Sequence, residues 1–403
     1  MTRQNRDVWH AAIVDVLERA KLVQPDGLVA EINAATRPLD VHVTIYLVDH
    51  EQERLHALPE GGKPTPPSLP VEGTVAGRAF SSVITQVGAE GDAPYRLWVP
   101  MVDGSERLGV AEVIAHRMPE DPAAFRDHCE TMIGLVGHLM TVKLPYGDAL
   151  EIVRRTRPMS PAGELVLRLL PPLTFSTRRM TVSAVLEPTY DVGGDAFDYA
   201  VDGPVTQVMV LDAMGRGLAA ALTSAAAIAA IRAARREHRG LHEMARAADA
   251  ALIEQFPDLR FVTGVLAGLD MDTGVLRYIN AGHPPPLLIR RGRVVKTLTG
   301  GRRMPLGIDD GAVEVGEEML EPEDRVLLYT DGVTEATDRG GERFGVQRLT
   351  DLTERCMADR LASPETLRRL AHAVLAYLGG RPSDDATLLL LEWSAEAAER
   401  SQP

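Results

Sequence analysis

Apolar residues recur at helical spacing through residues 8–35, VWHAAIVDVLERAKLVQPDGLVAEINAA, on either side of Pro25, which predicts two helices. The next stretch, DVHVTIYLVDHEQERLHALPE, alternates with a period of two around a polar turn and predicts paired strands. A Pro-rich loop, KPTPPSLP, separates these from TVAGRAFSSVITQ, a short helix. RLWVPMVDGSERLGVAEVIAH reads as a hairpin turning at Asp103-Gly104, and the helical period returns from Pro122 to Val142. Together these elements make an α+β unit of sensor size. It holds no cluster of acids, histidines or nucleophiles, so by elimination it senses or binds.

Residues 144–172 read as a helical linker. Pro158 breaks its first helix, Ser160 and Pro161 supply the N-cap and first-turn proline of a second, and Pro171-Pro172 end that one. Arg154, Arg155 and Arg157 are expected on a solvated helix face. From Met180 onward the pattern is that of strands, and residues 395–403 form a tail. The Ala-rich stretch 218–231 lies between Arg216 and the arginines 232, 235 and 236, which favours a buried helix over a membrane span.

A chain of 403 residues, 45% hydrophobic and 25% charged, fits two soluble globular domains. The N-terminus, MTRQNRDVWH, lacks the basic-then-apolar order of a signal peptide, so the cytoplasm and no membrane association are expected. The net charge of −14, from 43 basic and 57 acidic residues, gives no pull toward nucleic acid or anionic lipid. Cys129 and Cys356 are far apart in sequence and read as reduced thiols in helices.

The acids carry more information. Asp195 and Asp212 lie symmetrically about Gly203-Pro204, so a hairpin turning there would bring both carboxylates to one end of the ladder. Asp331 ends the strand pattern DRVLLYTDG, where Gly332 lets the chain swing away, and Asp384 and Asp385 precede the apolar run ATLLLLEW. A lone DG or GGD is ordinarily a turn; here every acid stands at a strand terminus. Two carboxylates ~4 Å apart repel by about 4 kcal/mol at an effective dielectric near 20. No lysine or arginine stands beside the four in sequence, and all-oxygen donors suit Mg²⁺ or Mn²⁺, so a metal pair is expected. His283 in NAGHPPP invites a general-acid role, against a structural hydrogen-bonding one. His238 and His242 flank Gly240 without a third ligand, which argues against zinc. Asp191 and Asp198 flank the GGD stretch and could bond backbone or water; Asp198 is a secondary site candidate.

Two resemblances add to this reading. TVAGRAF followed by VPMVDGSERLGVAEV resembles a GAF domain, with a core at about residues 20–143 of a unit spanning 1–143. That resemblance implies a small-molecule ligand of unassigned kind, or a role in dimerisation alone. EPTYDVGGDAFDY, LDAMGRGLAAAL, FVTGVLAGLDMDTGVLRYINAGHPPPLLIR, DRVLLYTDGVTEA and SDDATLLLLE resemble, in that order, the metal-dependent protein phosphatases of type 2C (the PPM family), in the bacterial branch typified by the sporulation stage II protein E phosphatase. The implied fold is a sandwich of two antiparallel sheets flanked by helices over residues 173–394.

By that resemblance Asp212 bridges two ions (Mn²⁺ or Mg²⁺), Asp331 and Asp384 complete the first site, and Asp195 supports the second by orienting water. Ala213 offers a main-chain carbonyl, and a metal-bound water held by Asp195, Asp212, Asp331 and Asp384 attacks phosphorus in line, without a protein nucleophile. Asp385 is the rival of Asp384, and Gly194 and Gly332 are secondary candidates. The arginine that grips phosphate in eukaryotic members has no counterpart from Val192 to Asp195. The implied activity is hydrolysis of phosphoserine or phosphothreonine on a regulatory protein, an anti-sigma-factor antagonist, under control of the GAF-like unit in a homodimer. The alternatives are a non-catalytic binding module and a small-molecule phosphatase using the same metals.

Overall fold

In a computed structural model the chain is described over residues 3–88, 95–187, 190–191, 193–308, 314–379 and 384–394. The tail expected over 395–403 lies outside the described residues, as does Val192. The chain divides into two compact units, Met1–Arg157 and Pro158–Arg400.

The first unit runs α1 (Arg3–Ala20), α2 (Leu28–Thr36), β1 (Val41–Val48), β2 (Arg54–Ala57), β3 (Leu69–Pro70), α3 (Val75–Ser82), β4 (Gln86–Val87), β5 (Tyr95–Asp103), β6 (Glu106–Ala115), α4 (Pro122–Lys143) and α5 (Ala149–Arg154). Its six strands form one antiparallel sheet in the order β3-β2-β1-β6-β5-β4. Period-two alternation sorts the side chains. Val43, Ile45, Leu97, Val99 and Val113 pack under α1, α2 and α4, while Tyr46, Val48, Trp98 and Val110 pack with Ala76, Ala79 and Phe80 of α3 on the other face.

The connector expected over 144–172 is divided by the structure. Helix α5 packs on the first unit, with Leu150 buried in its core. Glu151 Oε1 meets His50 Nε2 at 2.5 Å, and Arg154 Nε donates to the Val48 carbonyl at 3.1 Å. Arg157 lies 3.7 Å from Glu51, whose carboxylate also accepts from Thr156 Oγ1. The basic cluster is therefore a set of local contacts with the turn after β1, rather than a freely solvated face.

The second unit begins at α6 (Pro161–Leu169), where Ser160 Oγ accepts from Gly163 N and Pro161 takes the first turn. It continues with β7 (Thr174–Ser176), β8 (Met180–Glu187), β9 (Asp195–Asp202), β10 (Val205–Ala213), α7 (Gly217–Arg236), α8 (Leu241–Gln255), β11 (Val262–Asp270), β12 (Val275–Ala281), β13 (Leu287–Arg290), β14 (Arg293–Thr297) and β15 (Arg302–Arg303). Then follow β16 (Gly316–Met319), β17 (Arg325–Tyr329), α9 (Asp331–Thr334), α10 (Gly345–Ala358), α11 (Ser363–Tyr377) and β18 (Ala386–Trp393).

Two sheets result, ordered β15-β12-β11-β10-β9, with β16 also on β12, and β14-β13-β17-β18-β8-β7. All pairings are antiparallel except the short β12–β15 contact. Between the sheets lie Val182, Phe197, Val208, Val210, Val265, Leu328 and Leu389. Helices α7 and α8 cover the outer face of the first sheet through Ala227, Ile228, Ile231, Ala245 and Leu252; α10 and α11 cover the second through Leu349, Leu367, Leu370 and Val374. Helix α7 is long and apolar enough to cross a membrane by length and composition. One face of it is nonetheless packed against the sheet, and Leu218 and Leu222 face outward.

Truncating Leu150 to alanine in the full chain is expected to lower the stability of the N-terminal unit by about 2–4 kcal/mol, the cost of a core cavity. The shift of that unit's urea midpoint measures it; an unchanged midpoint would mean that α5 does not pack there in solution.

Candidate metal centre

The turn at Gly203 sets the β9–β10 register, pairing Asp202 with Val205 at one end and Asp195 with Asp212 at the other. This is the juxtaposition expected from the symmetry of the sequence. By alternation both carboxylates project from the same face as Phe197, Val208 and Val210, the face that lies between the sheets.

Asp195 is only 2% exposed. Its Oδ2 accepts from Thr330 Oγ1 at 2.8 Å and from Thr387 Oγ1 at 2.7 Å. Those threonines belong to the other sheet, one just after β17 and one in β18, and Thr330 Oγ1 accepts in turn from Thr387 N at 2.9 Å. Asp385 returns the contact. Its Oδ2 accepts from the backbone N–H groups of Gly193, Gly194 and Asp195 at 2.6, 2.8 and 3.2 Å. The Gly194 carbonyl accepts from Ala213 N at 3.2 Å and from Ser224 Oγ of α7.

Two glycines allow this closeness by lacking volume, not by adopting a left-handed backbone. A Cβ on Gly194 would stand 2.4 Å from the Ala213 carbonyl oxygen, and one on Gly332 would stand 1.8 Å from the carbonyl of Asp385. Ala213 is buried at the end of β10 with its carbonyl against Gly194. Asp331 opens the short helix α9 rather than ending β17.

The remaining acids gather where this clamp leaves them. Burial first, then the charges of Asp331, Asp384 and Asp385, push the Asp212 carboxyl up to about 7. Burial, with Asp384 and Glu335 behind it, also raises Asp331. Asp195 is held well above the ordinary carboxylate range by burial and by the charges of Asp212 and Asp385. Asp385 is raised by burial despite its three N–H donors. The expectation that no cation stands beside the acids fails in space. Arg216, four residues past Asp212, brings a guanidinium nitrogen to 3.8 Å from Asp384 Oδ2.

An all-carboxylate donor set with unrelieved mutual repulsion fits a hard divalent cation. Among the described residues no three acidic, histidine or cysteine side chains stand close enough together to enclose an ion as they are placed. Residues that could hold one are Asp212, Asp331 and Asp384, with Asp195 behind them.

Two candidates do not join the carboxylates. Asp198 lies three residues past Asp195 and so on the opposite face of β9, where Arg232 and Arg235 of α7 bind it at 2.6 and 2.9 Å. His283 is buried, its Nδ1 is 3.0 Å from Thr263 Oγ1, and Asn280 brackets its backbone N–H and carbonyl. Burial lowers its pKa to about 4, so at neutral pH it is uncharged and unsuited to acid catalysis. Thr330, Thr387, Ser224 and Arg216 escaped the sequence reading. The threonines were legible beside the acids, Thr330 next to Asp331 in YTDG and Thr387 two residues after Asp385 in DDAT.

The two neighbouring aspartates should separate experimentally. Asp385→Ala leaves three buried N–H groups without an acceptor and is expected to cost about 3 kcal/mol or more in urea unfolding of the metal-free protein. Asp384→Ala, at a half-exposed side chain, is expected to stay within about 0.5 kcal/mol of wild type. Equal losses would contradict the division of roles.

Residues 202–394 match the family of Stage II sporulation protein E (SpoIIE). The chain is 23% identical over 217 residues to the phosphoserine phosphatase RsbU of Bacillus subtilis, covering 53% of this chain and 63% of that protein, so it spans less than two thirds of that relative's length. Among solved structures, the RsbU and RsbW domains of Rv1364c from Mycobacterium tuberculosis match at 27% identity over 56% of this chain and 63% of that one, with a TM-score of 0.46. The SiaA-PP2C domain of Pseudomonas aeruginosa matches at 25% identity over 53% and 86%, also with a TM-score of 0.46. The C-terminal unit is thus similar to the Stage II sporulation protein E (SpoIIE) family over residues 202–394, a stretch that includes Asp212, Asp331, Asp384 and Asp385.

Proposed function

We propose that this chain is a metal-dependent protein serine/threonine phosphatase. The observation that carries the reading is the convergence of Asp212, Asp331 and Asp384 at one end of the sandwich, where burial first and then the charges of the neighbouring aspartates lift Asp212 to about 7. Divalent ions bound there, Mn²⁺ or Mg²⁺, would supply Lewis acidity toward phosphate and lower the pKa of a water. Asp212 would lie between two ions, with Asp331 and Asp384 on one of them and the Ala213 carbonyl nearby. Asp195 has Oδ2 committed to Thr330 and Thr387, so its other oxygen would serve to orient water at the ions. Asp385 keeps the 193–195 backbone in place rather than binding an ion. With His283 neutral and bonded to Thr263, no side chain here is assigned as nucleophile.

The substrate we infer is a phosphorylated regulatory protein, of the anti-sigma-factor antagonist class. The similarity to a phosphoserine phosphatase named RsbU supports phosphoserine as the group hydrolysed. The first unit we read as a GAF-like input domain, supported by its six-stranded sheet between helices. It would bind a small molecule or pair two copies as a homodimer, and the protein would work in the cytoplasm.

Hydrolysis of p-nitrophenyl phosphate with Mn²⁺, and its loss in EDTA, tests the reading. Asp212→Ala is expected to reduce turnover roughly 100-fold or more. Turnover that survives EDTA, or that Asp212→Ala leaves intact, would contradict it.

A further inference from the structure

Arg216 joins β10 to α7 between two glycines in left-handed conformation, Gly215 at φ 98° and Gly217 at φ 66°. Its Cα lies 3.4 Å from where a Cβ of Gly193 would stand, so the side chain is rooted against the loop that leads into Asp195. The side chain is 71% exposed and lies 3.8 Å from Asp384 Oδ2, at the edge of the carboxylate group. Among the described residues its guanidinium donates no hydrogen bond of ordinary length. Other arginines of this unit are committed: Arg232 and Arg235 to Asp198, Arg303 to Asp249 and Arg290 to Asp324.

We propose that Arg216 binds the phosphate group of the substrate, a phosphomonoester dianion, beside Asp212 and Asp384. The proposal rests on the phosphatase reading and adds to it the group that receives the anion. Charge-assisted N–H···O contacts run about 2.7–2.9 Å, so a separation of 3.8 Å is an electrostatic approach rather than a formed bond. An exposed pair of this kind is worth little, so releasing Arg216 from Asp384 costs little. The planar fork of a guanidinium matches two phosphate oxygens at once. Its charge also offsets the repulsion that a dianion meets on approaching several aspartates. The two flanking glycines hold positive-φ conformations that a side chain at either position would strain, so the backbone course that carries Arg216 past Asp384 depends on them.

The test uses the full-length Mn²⁺-loaded protein and two readouts, binding of inorganic phosphate by calorimetry and steady-state hydrolysis of p-nitrophenyl phosphate. Arg216→Ala is expected to weaken phosphate binding roughly 10- to 100-fold and to raise KM in parallel, with a smaller change in kcat. Arg216→Lys should recover part of the binding, because it restores the charge but not the fork. Unchanged phosphate affinity in Arg216→Ala would overturn the proposal. So would an alanine variant that binds Mn²⁺ more tightly with phosphate affinity unaltered, since the guanidinium would then act only on Asp384. If the wild-type protein turns over no phosphomonoester, the phosphatase reading fails; the calorimetric comparison still decides whether Arg216 holds the anion.

Discussion

The exchange of carboxylates between the two sheets of the second unit is the interaction on which the site depends. Asp195 of β9 takes hydroxyl donors from Thr330 and Thr387 of the opposite sheet, and Asp385, at the start of β18, takes three backbone donors from residues 193–195. Hydrophobic packing between the sheets is non-directional and would tolerate small slides. These five directional hydrogen bonds hold the end of the sandwich in register, because each acceptor is buried and each lost donor would go unsatisfied. Gly194 and Gly332 allow that approach, since any side chain at either position would meet backbone.

A clamp built from acids has an electrostatic consequence. Once Asp195 and Asp385 are committed to protein donors, Asp212, Asp331 and Asp384 remain close enough to repel, with Arg216 approaching Asp384 at 3.8 Å. Protein donors from the opposite sheet therefore account for two of the five acids, while Asp212, Asp331 and Asp384 lack such cross-sheet hydrogen bonds among the described residues and would be relieved by a bound cation. The same arrangement separates rigid from adjustable parts: the clamp is buried, whereas Asp384 and Arg216 are both largely exposed. Chemistry that needs an anion to enter and leave is best served by that division.

Much of this was legible in the sequence because it follows from local rules. The symmetry of Asp195 and Asp212 about Gly203-Pro204 gave their pairing, and the strand patterns before Asp331 and after Asp385 placed those acids at strand ends, which the antiparallel pairing of β17 and β18 brings to one end of the second sheet. Parity alone could have removed Asp198, which is an odd number of residues from Asp195 and so faces α7. What could not be read was long-range. Asp385 meets Gly193 across 192 residues, and no spacing in the chain indicates that it, rather than Asp384, turns inward. Arg216 was overlooked because it is separated in sequence from the acid it approaches, and α5 because a helix between prolines does not reveal which unit it will pack on.

Thermal unfolding in EDTA and in Mn²⁺, for wild type and Asp212→Asn, tests the central claim that the clamp leaves these carboxylates in uncompensated repulsion for a divalent cation to relieve. In EDTA the asparagine variant is predicted to melt at or above the wild-type temperature, because a repelled charge has gone. Mn²⁺ at about 100 times its Kd is predicted to stabilise wild type by about 2.7 kcal/mol and the variant far less. A wild-type melting temperature indifferent to Mn²⁺, together with a variant that melts lower in EDTA, would contradict the account.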